Sequence, residues 1–426
     1  MVAVEAAPFA ERLLALPRPC EWTELRAQAE TALAGAALPG THEEAWKYTD
    51  LAPLRGLDFG PAPAAEADIA PHILPEARGT RLVFVNGRYA PHASNVASLP
   101  PGVRLMNLGC SSEMAKGLGS LAGAGQDPFS DLNLARFQDG ALLVVPKGVR
   151  VEVPLHVVFL QQGGEAPAAV LPRLHVVLER GASAVLVEEY AGAGTYLTAA
   201  VTEVLLREDA QLVHDRVQRE SAEAFHVSRL ALRLDRGARY EGRTISLGAR
   251  LSRSMPHAAM AAEGAELTLD GLALLDGARL ADTHSVIDHL VPHCTSRQAF
   301  KVIADGASRG VFNGKIFVRP GAQSTDARQQ CRGLLLSPTA KIDAKPELEI
   351  FADDVKCAHG AAIGQLDPEG LFYLRSRGLD PDLARNVLTY AFAADVLTGI
   401  PVASLRRQLR QAVLARTRSS ALKALS

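Results

Sequence analysis

The spacing of apolar residues changes twice along the chain. Over residues 8–37, Trp22, Leu25, Ala29 and Leu33 recur at helical intervals, which predicts helices. Pro39-Gly40 ends that run. The segment Thr41-His-Glu-Glu-Ala-Trp-Lys-Tyr-Thr-Asp-Leu51 reads as a short helix or turn. Thr41 and Glu44 are spaced for a capping box, and Trp46 and Tyr48 for anchors on a larger body. Residues 59–79 hold four prolines and read as an irregular crossing segment. Arg81 to Tyr89 predicts a hairpin about Asn86-Gly87. Residues 111–126 are rich in Gly, Ser and Ala and give no element, while Phe129 to Phe137 predicts a short helix.

From Ala141 the period falls to two. Val- and Leu-rich strands follow one another at Ala141–Pro146, Val149–Leu160, Arg173–Glu179, Ala184–Glu189, Thr198–Leu206 and His226–Leu234. Small-residue corners punctuate them: Gly181-Ala182, Asp209-Ala210, Gly237-Ala238, Gly264-Ala265, Gly277-Ala278, Gly306-Ala307, Gly321-Ala322 and Thr339-Ala340. The first steps are 28, 28 and 27 residues, and the later ones include apparent half-periods. Short strands at a fixed period predict a parallel β-solenoid, with Gly supplying the left-handed backbone of each corner. A Greek-key sandwich is the alternative, but its turns have no reason to recur so evenly. A solenoid has two open ends and exposed edges. The helical N-terminal region is expected to cap one end and the C-terminal region to cover part of the other.

After Gln365 the period returns to that of a helix. Leu371 to Arg377 predicts one piece closed by Gly378. Asp380-Pro381 opens the next helix, with Leu383, Val387, Ala391, Ala394 and Leu397 as its apolar stripe, and Gly399-Ile400-Pro401 stops it. A last helix places Val402, Leu405, Leu409 and Val413 on one side and Arg406, Arg407 and Arg410 elsewhere. From Pro401 onward there are five Arg, one Lys and no acid, which suits either a solvated face or docking to an acidic groove. The expected domains are residues 1–140 (mostly helical, with a hairpin), 141–365 (β core) and 366–426 (helical).

Bulk properties narrow the function. A net charge near −2 gives no argument for nucleic acid, and sparse aromatics offer no platform for single strands. The five cysteines are widely spaced without a CxxC, so a disulfide framework is not expected. The first residues lack the basic and apolar regions of a signal peptide, and no apolar run is long enough to span a membrane. The expectation is a reduced, cytoplasmic protein.

Candidate chemistry concentrates in two places. Cys357 and His359 stand two apart in Ala352-Asp-Asp-Val-Lys-Cys-Ala-His-Gly360, so an extended chain puts both on one face. Thiolate and imidazole together suit a soft metal, although two donors do not complete a structural zinc site. The ordinary alternative is a half-buried Cys beside a surface His. The second place holds His284, His289, His293 and Cys294. Alternation sends His284 and His289 to opposite faces, and Pro292 interrupts the strand, so structural polar ladders are the better reading. Gly310-Val-Phe-Asn-Gly-Lys315 imitates a P-loop, but its glycines are one residue too close and Ile316 stands where Ser or Thr is needed. No GxSxG supports a serine hydrolase.

The stretch from Ala352 through Asp367, with Leu371-Phe-Tyr-Leu-Arg-Ser-Arg-Gly378, resembles the SufB/SufD family of iron–sulfur cluster assembly proteins. So do Gly310 to Val318, Ala322-Gln-Ser-Thr-Asp-Ala-Arg-Gln-Gln330, Leu334-Leu-Leu-Ser337 and Glu44-Ala-Trp-Lys-Tyr-Thr-Asp50. The SufB branch resembles His-Glu-Ala at the elbow where this chain has Cys357-Ala-His359, which points to the SufD branch. The resemblance implies a mainly β fold: a right-handed parallel β-helix flanked by N-terminal and C-terminal helical regions. It implies a non-catalytic scaffold that pairs with a SufB-like subunit through β-helix edges. Its last helices would dock a SufC-like ATPase. It implies a transient iron–sulfur cluster at the SufB interface, with His359 first and Cys357 second as contributing residues. Reduced flavin is associated with the family complex, and no residues here place it. Two rival readings are a carbohydrate-active solenoid enzyme using Asp353 and Asp354, and a purely structural homodimer. Adjacent residues of a strand face opposite ways, which argues against that carboxylate pair.

Overall fold

A computed structural model describes residues 9–34, 36–110 and 114–416. From Gly140 onward the chain winds through coils that each give one strand to each of two parallel sheets. The first coil is Gly140–Val145 with Leu155–Gln162 and the last is Lys341–Ile350 with Val355–Gly364. Within a sheet, equivalent residues stack in register, as in the column Leu212, Tyr240, Leu267, Ser296, Ala327 and Cys357. The structure is thus the expected mainly β solenoid with helices near both termini.

The corners explain the repeat. Gly181, Asp209, Gly237, Gly264, His293 and Ser324 all adopt positive φ between the first and second strand of their coils. Successive corners also bond to one another: Gly181 N–H donates to Glu208 O at 2.9 Å, Asp209 to Arg236 at 2.8 Å, and His293 to Gln323 at 3.0 Å. The next residue turns into the core and must be small, and it is Ala182, Ala210, Ala238, Ala265, Cys294 or Thr325, all buried. Gly277 and Gly306 form a second series at the opposite corner, which accounts for the half-steps.

Burial follows strand alternation where one face is open. In Thr325–Leu335, Ala327, Gln329 and Cys331 are buried while Arg328, Gln330 and Arg332 are exposed. Tyr196–Leu206 is buried at every position because both its faces are covered.

What covers those faces refines the expectation for the ends: the N-terminal region closes one end with strands, while the helices of both terminal regions cover the outer faces. The helices Phe9–Leu14, Thr23–Leu33 and Pro128–Arg136 lie against the outer face of one sheet, at Leu197, Ala199, Phe225, Val227, Leu251 and Met255. The helices Pro381–Thr398 and Ala403–Arg416 lie against the outer face of the other, at Val217, Ile245, Leu272, Leu274 and Ile303. The first coil is instead closed by strands of the N-terminal region: Arg81–Val85 pairs in parallel with Leu155–Gln162 and carries Arg88–Tyr89 antiparallel on its far side, while Arg104–Asn107 pairs antiparallel with Gly140–Val145. The hairpin at Asn86-Gly87 forms as expected, both residues having positive φ.

Local signals held to different degrees. Asp380 caps the Pro381 helix by accepting from Asp382 and Leu383 N–H. That helix buries Ala384, Thr389, Ala393, Val396 and Leu397, while Ala391 of the expected stripe is exposed. The last helix buries Leu405, Leu409 and Val413 and exposes Arg406, Arg407 and Arg410, with Val402 buried just before it. The remainder of the basic run, 417–426, lies outside the described residues. The Thr41–Glu44 capping box does not form. Glu44 pairs with Lys345 across the molecule instead. Trp46 is an anchor: the Arg253 guanidinium lies 3.8 Å above its ring and pairs with Asp282, which also accepts from Thr49 Oγ1 at 2.6 Å.

Candidate metal site at the open end of the solenoid

Among the described residues, no strand lies on the outer side of the last coil. Among the same residues, Lys341–Ile350 pairs only with Arg309–Val318, and Val355–Gly364 only with Thr325–Leu335. Both carry a row of backbone N–H and C=O groups free to accept another strand. The apolar side chains of this end are bare, with Phe351 57 % and Ile363 44 % exposed. Phe372 and Tyr373, on the following helix Pro368–Ser376, extend the apolar surface.

Cys357 and His359 lie on the strand Val355–Gly364, which is extended as the sequence predicted. Their register partners Ala327 and Gln329 are buried in the solenoid interior, so both face the interior side of the open coil. Cys357 is half-buried against the core and His359 is exposed. Burial pushes the Cys357 thiol upward, so in the uncovered chain it is a thiol rather than the thiolate that metal binding requires. Cys331 sits deeper, in register with Ala361, and burial pushes it up to about 12.

The structure leaves His284, His289, His293 and Cys294 in earlier coils and uses Asp354 at a corner of the last one. His289 is buried inside the solenoid between its register partners Met260 and Val318, with Nε2 2.9 Å from Ser296 Oγ. His284 is on the opposite face of the same strand, paired in register with Asn313. His293 supplies a positive-φ corner and Cys294 the small buried residue after it. Asp354 closes the next corner, its carbonyl accepting from Ser324 N–H at 2.6 Å and its N–H donating to Gln323 Oε1 at 2.9 Å. Among the described residues, no three His, Cys, Asp or Glu side chains gather as a metal-holding group. Cys357 and His359 are therefore two donors of an incomplete set.

Sequence reasoning passed over the buried charges. Glu188 is wholly buried inside the solenoid, where it takes hydrogen bonds from Thr202 at 2.8 Å and from Tyr190, with His214 at 2.9 Å and Arg216 at 3.3 Å. Burial alone would raise its pKa, but Arg216, His214 and Tyr190 hold it well below the usual carboxylate range. Glu189 points the other way and meets His156, His72 and Arg219. Glu203 pairs with Arg173 at 2.8 Å and accepts three backbone N–H groups from Gly119, Leu121 and Ala122. These groups are saturated by partners, which marks them as structural. The available signal was two adjacent glutamates inside the run Val185-Leu-Val-Glu-Glu-Tyr190.

Comparison with known proteins agrees with this architecture. The family model described as SUF system FeS cluster assembly, SufBD core domain, matches residues 159–392. The SufBD protein N-terminal region matches residues 18–157. An iron–sulfur cluster assembly SufBD family protein of Synechocystis is 38% identical over 403 residues, covering 90% of this chain and 89% of that one. The iron–sulfur cluster assembly protein SufD of Escherichia coli is 32% identical over 384 residues, covering 87% and 88%. The chloroplastic protein ABCI7 of Arabidopsis thaliana is 31% identical over 391 residues, covering 88% and 82%.

Proposed function

Because the chain belongs to the SufBD family of iron–sulfur cluster assembly proteins, we propose that it is a non-catalytic scaffold subunit of a SUF complex. In this reading its bare last coil pairs with a SufB-like subunit, and the helices after Gln365 dock a SufC-like ATPase. The observation that carries the reading is the uncovered coil itself, with free strand edges and the two donors Cys357 and His359 on its interior-facing side.

The nascent cluster is cargo at that junction. His359 offers a ring nitrogen, and Cys357 offers sulfur once a metal displaces its proton. The remaining ligands come from the partner, because among the described residues this chain supplies only two donors there. A site divided between two chains opens when they separate, which suits a cluster that must leave. The ATPase supplies the work. Reduced flavin, where the complex uses it, serves as electron source and is not assigned to residues of this chain. The cellular place in this reading is the reducing cytoplasm, where the free thiols persist.

The test is co-expression with SufB-like and SufC-like partners and anaerobic purification. Iron and sulfide are then compared between wild type and His359→Ala. The reading expects the complex in both and the cluster lost in the variant. An intact complex with unchanged iron and sulfide would remove His359 from the site and leave the chain a structural arm.

A second reading rests on the same open coil. In the absence of a partner, two copies of the chain would cover each other there, so the isolated protein is expected to sediment as a dimer that the SufB-like subunit breaks.

A further inference from the structure

Gln329 is an anomaly in a well-satisfied interior. It is 2 % exposed, yet neither its amide oxygen nor its amide nitrogen has a hydrogen-bond partner. Buried amides are almost always paired, because a lost water partner must be replaced. Space has nonetheless been kept for this one. A Cβ on Gly314, on the facing sheet, would stand 2.1 Å from Gln329 Nε2 and 2.6 Å from the Phe312 ring. Gly314 therefore accommodates the carboxamide, which explains the second glycine of the false P-loop.

The position of Gln329 in its column gives the anomaly a direction. On one side its register partner is Gln298, whose Oε1 accepts from Ser285 Oγ at 2.8 Å and whose Nε2 is unpartnered. On the other side its register partner is His359. Two amides thus follow Leu269 in this column and lead to the imidazole of the open coil. Adjacent strands lie about 4.8 Å apart, so a glutamine side chain reaches the ring one rung away.

We propose that Gln329 is a positioning residue for His359. When a partner covers the coil, the Gln329 carboxamide oxygen accepts the N–H of one ring nitrogen of His359. That fixes the tautomer and leaves the other nitrogen to face the metal. Metal-bound histidines generally use their second nitrogen in this way, and the supporting group sets ligand orientation and basicity. The inference rests on the reading of His359 as a site residue.

The test measures Zn²⁺ affinity, by chelator competition, of the anaerobically purified complex with its SufB-like and SufC-like partners, freed of cluster. Wild type is compared with Gln329→Leu, Gln329→Glu, His359→Ala and the His359→Ala/Gln329→Leu double variant. Gln329→Leu is expected to weaken binding 10–100-fold, while Gln329→Glu, which keeps an accepting oxygen, stays near wild type. The isolated Gln329→Leu chain should melt no lower than wild type, since an unpaired amide has gone. A merely structural role predicts the reverse: lower melting and unchanged affinity. In the His359→Ala background Gln329→Leu should have no further effect. If it weakens binding equally with and without His359, the proposal is overturned. If Gln329→Leu does not fold, Gln329→Asn, whose carboxamide is too short to reach the ring, is measured in its place, with the same expected loss of affinity and the same lack of effect in the His359→Ala background. Loss of affinity in His359→Ala but not in the Gln329 variants sinks this proposal alone. No loss in His359→Ala sinks the site reading and this proposal with it.

Discussion

The Lys301 ammonium lies 2.6 Å from a carboxylate oxygen of Asp395 and 2.7 Å from the carbonyl of Phe392, whose ring it also approaches. Lys301 stands on the outer face of the strand Thr295–Ala304, and Asp395 on the helix Pro381–Thr398. The contact fastens the proposed ATPase-docking helices to the solenoid at a point next to Phe300, whose own register partner is Cys331.

Asp395→Ala should therefore loosen the helix without unfolding the core. Lys301 is nearly buried, while Asp395 is largely exposed, so the expected loss is roughly 1–2 kcal/mol. Amide exchange across 381–398 should rise while the strand Thr295–Ala304 stays protected. Uniform loss of protection in both would show that the helix and solenoid unfold as one unit.

The anchor at Trp46 gives a second prediction. Arg253 is buried between Trp46 and Asp282, and removing its carboxylate leaves a buried charge without a counter-ion. Asp282→Ala is expected to cost roughly 3–5 kcal/mol, read as a fall in the denaturant midpoint. The segment Thr41–Leu51 should become the first site of proteolysis. The doubly altered chain, Arg253→Met with Asp282→Ala, should recover much of the loss, because the orphan charge has gone too.

A third concerns acid. Burial lowers the His289 pKa to about 4 from 6.5, with Asp288 opposing that shift. The unfolded chain therefore binds a proton between those values that the folded chain refuses. Stability from this group is complete above pH 6.5 and falls as pH drops toward 4, by about 3 kcal/mol at most. His289→Gln should reduce the loss of stability between pH 6.5 and 4 in equilibrium unfolding, the remainder coming from His156, His175, His214, His257 and His284, whose pKa values burial also lowers. Below that window the depressed Glu188 and Glu189 take over, because their stabilisation is lost as pH falls below the ordinary carboxylate range. An unaltered acid slope in the variant would contradict the burial argument.

The fourth separates corner from metal chemistry at His293. A non-glycine residue at φ 59° is strained, so His293→Gly should gain up to about 1 kcal/mol. Cluster content of the complex should not change. A fall in iron would return His293 to the list of site residues.

The repeat was readable because glycine and alanine mark most corners, yet the corners at His293 and Ser324 carry no such mark. Histidine and serine there left His293 and Cys294 looking like metal donors, when backbone geometry and lack of space determine them. Cys357 and His359 were legible because a two-residue spacing on an extended chain shares a face whatever surrounds it. Gln329 was not, since nothing local tells a buried glutamine from the exposed Gln330 beside it. The placement of the helices was misjudged for a similar reason. A strand such as Tyr196–Leu206, apolar on both faces, signals a covered sheet, but the cover is set by contacts distant in sequence.

Among the described residues the two ends of the solenoid are unequal, one closed by N-terminal strands and the other bare. Two bodies of this shape meeting at their bare ends present only closed ends outward. Growth then stops at two members, and a fold whose repeating edges could seed a fibre becomes a unit that counts to two.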